Sequence, residues 1–413
     1  MASAPEPADV LIVGTGTAGA QAATSLRQLG FSGSVVLIGE EQDPPYERPP
    51  LSKDYLTGGK AFERILIRPP DFWRERGIDL RLGTRVAAVR PDEHQVVLAD
   101  GMVLSYRHLV WAAGGRARRL ACPGGDLAQV HVVRTRADVD RIQAQLPDAA
   151  RIAIVGGGYV GLEAAASLVG RGKPVVLVEA LPRLLSRVAG ETLSRFFEAQ
   201  HRARGVDMIF GRTVTAIDHD HGRLRGLRLD DGAFVPADLV IVGIGIAPEV
   251  GPLTEAGADG SDGVAVDGFC RTTLPDIWAV GDCALHANAF ADGRSIRLES
   301  VQNASDMAVV AAKAIARRPE PYHSLPWFWS TQYDLKLQTV GLSSPGDQAI
   351  VRGDLAEGRF SIIHLRNGRV VALDCVNRPS DFVQGRGLIG CRPPDPDALA
   401  RADVPLKTLA QAA

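Results

Sequence analysis

Asp9-Val-Leu-Ile-Val-Gly-Thr-Gly-Thr-Ala-Gly19 is the stretch on which the fold turns. Its first half, a β-branched and aliphatic run with no polar alternation, reads as a strand buried on both faces. Gly14, Gly16 and Gly19 follow at G-x-G-x-x-G spacing, and Ala18 to Arg27 continues as a helix of small residues. Ser34-Val-Val-Leu-Ile38 is a second strand, and it ends in Gly39-Glu40. Strand, glycine turn, helix, strand and acid in that order form a complete dinucleotide-binding fingerprint. The glycines let a helix N-terminus present bare N–H groups to a pyrophosphate at close range. The acid would accept hydrogen bonds from ribose hydroxyls.

The plan recurs. Arg151-Ile-Ala-Ile-Val155 leads into Gly156-Gly-Gly-Tyr-Val-Gly161, a helix from Leu162 to Gly170, and the strand Pro174-Val-Val-Leu-Val178 ending in Glu179. Within it Gly156, Gly158 and Gly161 carry the frame. A carboxylate at Glu179 would repel a 2′-phosphate, which favours NAD over NADP, although Arg183 and Arg187 stand nearby. Glycine makes up 44 of the 413 residues, so a lone match to this frame carries little weight. A third match, Gly385/Gly387/Gly390, shows why. No strand precedes it, prolines flank it, and it reads as a glycine-rich loop.

Between the two units, Asp79–Leu82, Val86–Arg90, Gln95–Leu98 and His108–Ala112 suggest strands. Beyond the second, residues 237–243 and 276–282 read as further buried strands, and Asn303 to Arg317 as a helix. After Arg318-Pro-Glu-Pro321 the pattern changes to antiparallel strands near 348–352, 359–365 and 370–376, marking a C-terminal domain.

Composition narrows the function classes. The 46 basic and 48 acidic residues nearly cancel, so a nucleic-acid partner is not expected. The five cysteines are scattered and form no CxxC, which argues against a zinc site or a vicinal dithiol and fits a reducing cytoplasm. The start, Met1 to Asp9, lacks the basic and apolar parts of a signal peptide. The most apolar stretch, Leu239–Ala247, is too short to cross a bilayer. No metal site and no membrane association are expected.

Beyond these readings, Pro45-Tyr-Glu-Arg-Pro-Pro-Leu-Ser-Lys53, Gly156-Gly-Gly-Tyr-Val-Gly-Leu-Glu163, Trp278-Ala-Val-Gly-Asp282, Leu298-Glu-Ser-Val-Gln-Asn303, Pro326-Trp-Phe-Trp-Ser330 and Val404-Pro-Leu-Lys407 occur in order along nearly the whole chain. Together they resemble the FAD-dependent ferredoxin reductases, in particular the NADH-dependent ones that serve bacterial cytochrome P450 and aromatic dioxygenase systems. The resemblance implies an α/β fold with two Rossmann-like dinucleotide-binding domains, glutathione-reductase-like, plus a C-terminal α+β domain. It implies an FAD domain split over residues 1–116 and 245–322, an NAD domain at 117–244 and a C-terminal domain at 323–413.

For FAD, the implied contacts are Gly14, Gly16, Ala18, Gly19, Glu40, Arg48, Lys53, Val86, Arg134, Asp282 on the ribityl chain, Val301, Gln302 near the ring, and Trp329. For NADH they are Gly156, Gly158, Val160, Gly161, Glu163, Glu179, Arg187 and Gly245. The resemblance also implies Lys53 and Glu163 as the catalytic pair: an ammonium to stabilise charge on the reduced flavin, and a carboxylate to hold it. Hydride from NADH would enter FAD, and single electrons would leave to a [2Fe–2S] ferredoxin bound transiently. Such ferredoxins are usually acidic, so Arg64, Lys313, Lys336 and Lys407 are candidate docking residues. A monomer or weak dimer is expected. None of the nine histidines falls in a motif, and His286 and His323 read as surface residues. Disulfide reductases of this fold carry a dithiol by the flavin, and peroxide-reducing relatives a single cysteine; Glu40–Asp54 contains neither. A rubredoxin reductase or NADH oxidase of the same fold remains the enzymatic alternative. A redox-sensing interaction protein resembling apoptosis-inducing factor is a more distant one.

Overall fold

The computed structural model describes residues 7–410; the first six residues of the polar N-terminal stretch lie outside it. The chain forms two compact units. Among the described residues, one comprises 7–47, 62–116 and 247–326, the other 48–61, 117–246 and 327–410.

The first unit is built on a parallel sheet in the order Ile78–Arg81, Val35–Ile38, Ala8–Val13, Val103–Trp111, Ile277–Ala279. Val10, Leu11 and Ile12 are fully buried, as a strand covered on both faces requires. The long strand Val103–Trp111 has a second use. Its first residues pair antiparallel with Gln95–Leu98, which pairs in turn with Val86–Arg90. Helices Thr17–Gln28 and Val301–Ile315 cover the sheet, with Ala23, Leu26, Met307 and Ala311 fully buried between them.

The second unit repeats the architecture with strands Val206–Phe210, Val175–Glu179, Ile152–Val155, Leu239–Val242 and Val130–Val132, all parallel. A three-stranded antiparallel sheet (Val214–Asp220, Arg223–Leu229, Phe234–Pro236) is attached. A five-stranded antiparallel sheet completes the unit, in the order Trp327–Gln332, Leu335–Gly341, Arg369–Val376, Arg359–Arg366, Gln348–Asp354. This is the expected fold class of two Rossmann-like folds plus a C-terminal α+β region.

Several details differ from the sequence reading. The third glycine frame is preceded directly by a helix, Pro379–Gly385, not a strand; beyond Gly385 it runs through a single 3-10 turn, Arg386–Leu388, into a turn at Gly390. Pro379 opens this helix at its first position, where proline's missing N–H costs nothing. His286 is buried rather than on the surface, with Asn288 as hydrogen-bond partner; His323 is exposed. The compact units also divide the chain differently from the three expected domains. Residues 48–61 pack with the second unit, held there by Ser167 on the carbonyl of Ser52 (3.1 Å) and Tyr55 on Asp140 (2.6 Å). The C-terminal sheet falls in that same unit.

Candidate functional site

In each unit, a glycine cradle sits where the order of parallel strands reverses, at their C-terminal ends, the place where open α/β sheets leave a crevice. Gly14 has φ +111°, and a Cβ on it would meet the Ala112 carbonyl oxygen at 2.2 Å. A Cβ on Gly19 would lie 1.8 Å from the Gly14 oxygen. The fold itself therefore forbids side chains at both positions. Gly16 is different, because a Cβ there would meet nothing within 4 Å.

The second unit has the same division. Gly156 (φ +107°) lies against the Gly243 oxygen at 2.4 Å, and Gly161 against the Gly156 oxygen at 2.1 Å. A Cβ on Gly158 would find its nearest neighbour only at 4.0 Å. The middle glycine of each cradle is thus not required by packing and leaves space on the open side. Gly16 and Gly158 are also the N-caps of helices Thr17–Gln28 and Tyr159–Val169. Neither helix has a side-chain cap or an acid in its first turn. Uncapped N–H groups facing open space suit a diphosphate, so the residues present fit a dinucleotide in each unit.

In the first unit, a Cβ on Gly281 would touch the methyls of Ala18 (3.2 Å) and Ala304 (3.4 Å). The turn carrying Asp282 therefore meets the start of helix Thr17–Gln28 and the start of helix Val301–Ile315, where Val301 and the buried Gln302 lie. Gln302 donates to Asp306. Arg297, which the sequence did not single out, donates to the Asp282 carbonyl (2.9 Å) and pairs with Glu299 (2.7 Å), fixing that turn. Glu40, half exposed past the second strand, pairs with Arg116 at 2.8 Å. Val86 is buried in the core, so only its backbone is available to a ligand.

In the second unit, Glu179 accepts from the Gly157 N–H (2.5 Å) and the Leu181 N–H (2.8 Å). The acid is tied to the glycine loop it serves. Arg183 is engaged inward, donating to the carbonyls of Leu184, Ser186 and Ala189. It is thus a structural arginine rather than a phosphate ligand. Arg187 and Val160 are exposed, and Gly245 (φ +95°) lies in open space. Arg48 donates to the Arg134 carbonyl at 2.5 Å, so these two join, and Trp329 stacks on Trp327 with centroids 5.5 Å apart.

Lys53 and Glu163 do meet: Nζ lies 2.6 Å from Oε2. Glu163 is 5% exposed and accepts two more bonds, from the Ser52 hydroxyl to Oε2 (2.6 Å) and from the Ser330 hydroxyl to Oε1 (2.7 Å). Lys53 also donates to the Pro49 carbonyl (3.1 Å). A buried carboxylate costs several kcal/mol of desolvation unless its lone pairs are met, and here three donors from two segments, Ser52 and Lys53 on one and Ser330 on the other, meet them. Ser52 and Ser330 both lie inside the quoted motifs, but their type gave no signal of this role.

Four of the five cysteines have their thiols raised by burial, to about 11 at Cys283 and about 12 at Cys375, and all five are unpaired. Cys283 directly follows Asp282, yet its thiol stays protonated at neutral pH and is no redox nucleophile. Among the described residues, no helix is long and apolar enough to cross a membrane.

Residues 8–308 match the family described as pyridine nucleotide-disulphide oxidoreductase, and residues 327–410 match the reductase C-terminal family. A protein from a Sphingobium species, named 5,5′-dehydrodivanillate O-demethylase ferredoxin reductase subunit, is 58% identical, with 98% of each chain covered. Putidaredoxin reductase of Pseudomonas putida is 39% identical over 98% of this chain and 97% of its own. The solved covalent complex of putidaredoxin reductase with putidaredoxin superposes with a TM-score of 0.93 at 38% identity, covering 97% of this chain and 98% of that one. With two dinucleotide cradles of one plan followed by that C-terminal sheet, the chain belongs to the pyridine nucleotide-disulphide oxidoreductase family and carries its reductase C-terminal domain.

Proposed function

We propose that the protein takes electrons from NADH through FAD to a [2Fe–2S] ferredoxin, which supplies a cytochrome P450 or other oxygenase. The observation that carries this reading is the pair of cradles, one in each unit, each leaving its middle glycine open. Two dinucleotides on one chain with no thiolate-ready dithiol leave an outside acceptor as the destination of the electrons. The relatives named as a ferredoxin reductase subunit and as putidaredoxin reductase support that acceptor.

FAD belongs to residues 1–116 and 245–322, NADH to 117–244, and 323–413 completes the chain. When bound, FAD supplies the exchange between two-electron and one-electron chemistry. The chain supplies the rest. The N–H groups at Gly16 and Gly158 hold the two diphosphates, with Gly14, Ala18 and Gly19, and Gly156, Val160 and Gly161, shaping the approach. Glu40 and Glu179 accept from the ribose hydroxyls, Asp282 from the ribityl chain, and Val86, Arg134, Val301, Gln302, Arg48 and Trp329 complete the flavin set. Arg187 and Gly245 complete the NADH set. Lys53 offsets the negative charge that a reduced flavin carries, and Glu163 holds Lys53 in place. Five unpaired cysteines suit a cytoplasmic location.

The test is steady-state oxidation of NADH by the purified protein against [2Fe–2S] ferredoxins, rubredoxin and oxygen. Ferredoxin should accelerate turnover well beyond oxygen. Equal rates with ferredoxin and oxygen would overturn the reading.

A further inference from the structure

Behind Glu163 runs a line of buried polar groups that the proposed chemistry does not use. The Ser330 hydroxyl bonds Glu163 Oε1 at 2.7 Å, and Gln332 Nε2 bonds Ser330 Oγ at 3.1 Å. Gln332 Oε1 faces His201 Nε2 at 2.8 Å, and His201 Nδ1 faces the Tyr333 hydroxyl at 3.0 Å. Ser330, Gln332 and His201 are each at most 1% exposed.

The donors have only one consistent direction. Paired with the Lys53 ammonium, the Glu163 carboxylate only accepts, so Ser330 must donate to it. Ser330 Oγ is then the acceptor for the Gln332 NH2. That turns the Gln332 carbonyl toward His201, whose Nε2 must carry the proton. The Nδ1 lone pair is left for the Tyr333 hydroxyl. Burial pushes His201 down to about 4, with the Gln332 bond opposing and Arg204 assisting, so the ring is neutral at physiological pH as this direction requires.

The far end of the line is held at a conformational cost. Tyr333 occupies a two-residue turn between strands Trp327–Gln332 and Leu335–Gly341 with φ +57°, a left-handed conformation uncommon for a bulky residue. The Arg204 guanidinium lies over its ring at 4.5 Å and bonds Asp334 at 2.8 Å. A buried contact made only for packing would be served as well by apolar side chains. Here the polar groups instead align end to end, each bond polarising the next, and the line terminates on a charge.

We infer that Ser330, Gln332, His201 and Tyr333 form a directed hydrogen-bond chain that positions the Glu163 carboxylate, and through it the Lys53 ammonium, for reduction of the flavin. This rests on the reading that Lys53 and Glu163 serve that step. The four are positioning residues, and none of them is assigned contact with substrate or cofactor.

The experiment uses the FAD-loaded protein labelled with 15N-histidine, together with rapid-mixing measurement of flavin reduction by NADH. In the parent, the His201 ring nitrogens should report the Nε2–H tautomer. Ser330→Ala should slow the limiting reduction rate about tenfold, as expected for a lost hydrogen bond to a charge, and Gln332→Leu, one bond further back, should slow it by a smaller factor. The NADH dissociation constant should stay within about twofold. Ser330→Thr, which keeps the hydroxyl, should recover most of the rate, and Gln332→Leu should release His201 into mixed tautomers. Glu163→Gln separates the two levels. If it leaves the reduction rate unchanged, the reading of the pair falls and this inference with it. If it slows reduction while Ser330→Ala and Gln332→Leu do not, the chain alone is overturned. An Nδ1–H tautomer in the parent protein overturns its direction, whether or not any variant folds well.

Discussion

The two glycine cradles are alike in every feature the backbone imposes and unlike in how each treats its acid. Both place a left-handed glycine against a carbonyl of the neighbouring strand, Gly14 on Ala112 and Gly156 on Gly243, and both leave the middle glycine open. Yet Glu179 is bonded by two N–H groups of its own loops, whereas Glu40 is half exposed and pairs with Arg116. The glycine frame is therefore a property of the fold and cannot distinguish one dinucleotide from another. The surroundings of the acid can. A carboxylate already fixed in place is a rigid acceptor for a ribose diol and a rigid obstacle to a 2′-phosphate.

The strongest way to break this symmetry is at the closed positions. Gly14→Ala and Gly156→Ala each force a methyl onto a backbone oxygen at a positive φ, and each should cost more than about 3 kcal/mol. Thermal unfolding would show it, and a shift under 2 °C for either would remove the steric argument. Next comes the acid. Glu179→Ala leaves the N–H groups of Gly157 and Leu181 without their acceptor, at about 1–3 kcal/mol. It should also erode the preference for NADH over NADPH in kcat/KM, while Glu40→Ala leaves that preference intact. Equal effects of the two substitutions on coenzyme preference would cancel the distinction drawn between the cradles.

A third comparison is set by pH. His201 in the second unit is lowered to about 4 chiefly by burial, so the unfolded chain binds the extra proton first on acidification. Its contribution is complete above about pH 6.5 and is lost as pH falls toward 4, amounting to about 3 kcal/mol at the limit. His201→Phe should flatten the fall of Tm between pH 6.5 and 4 relative to the parent. An unchanged slope would mean that the ring is not held neutral. The smallest effect is expected at Cys283: with its thiol raised to about 11 by burial, Cys283→Ala should leave ferredoxin reduction within about twofold. A loss beyond tenfold would bring thiol chemistry back.

What could be read from the sequence follows from how local the governing physics is. Val10–Val13 and Ile152–Val155 declare themselves as buried strands because burial on both faces removes all polar alternation. The glycines follow because only glycine fits Gly14 and Gly156. The pairing of Lys53 with Glu163 rested on the resemblance, since nothing local ties a proline-rich turn to a helix so far along the chain. His201 and Gln332 carried no signal at all: their contact is made by the tertiary fold, and each alone looks like an ordinary helix or strand residue. Strand Trp327–Gln332 enters the sequence reading only through the quoted Pro326–Ser330 motif, because an unbroken aromatic run hides the alternation by which Trp327 and Trp329 stack on one face. The turn after it, Tyr333-Asp334, lacks the Asn-Gly or Gly signature of a hairpin.

The assignment of one dinucleotide to each cradle is tested most directly by a methyl at each open glycine, read as flavin content per chain and as NADH binding. Gly16→Ala should yield a folded protein that has lost most of its FAD. Gly158→Ala should keep a full complement of FAD while its NADH dissociation constant rises more than about tenfold. A Gly158→Ala protein that loses its flavin, or a Gly16→Ala protein that keeps its flavin and loses NADH, would contradict the assignment.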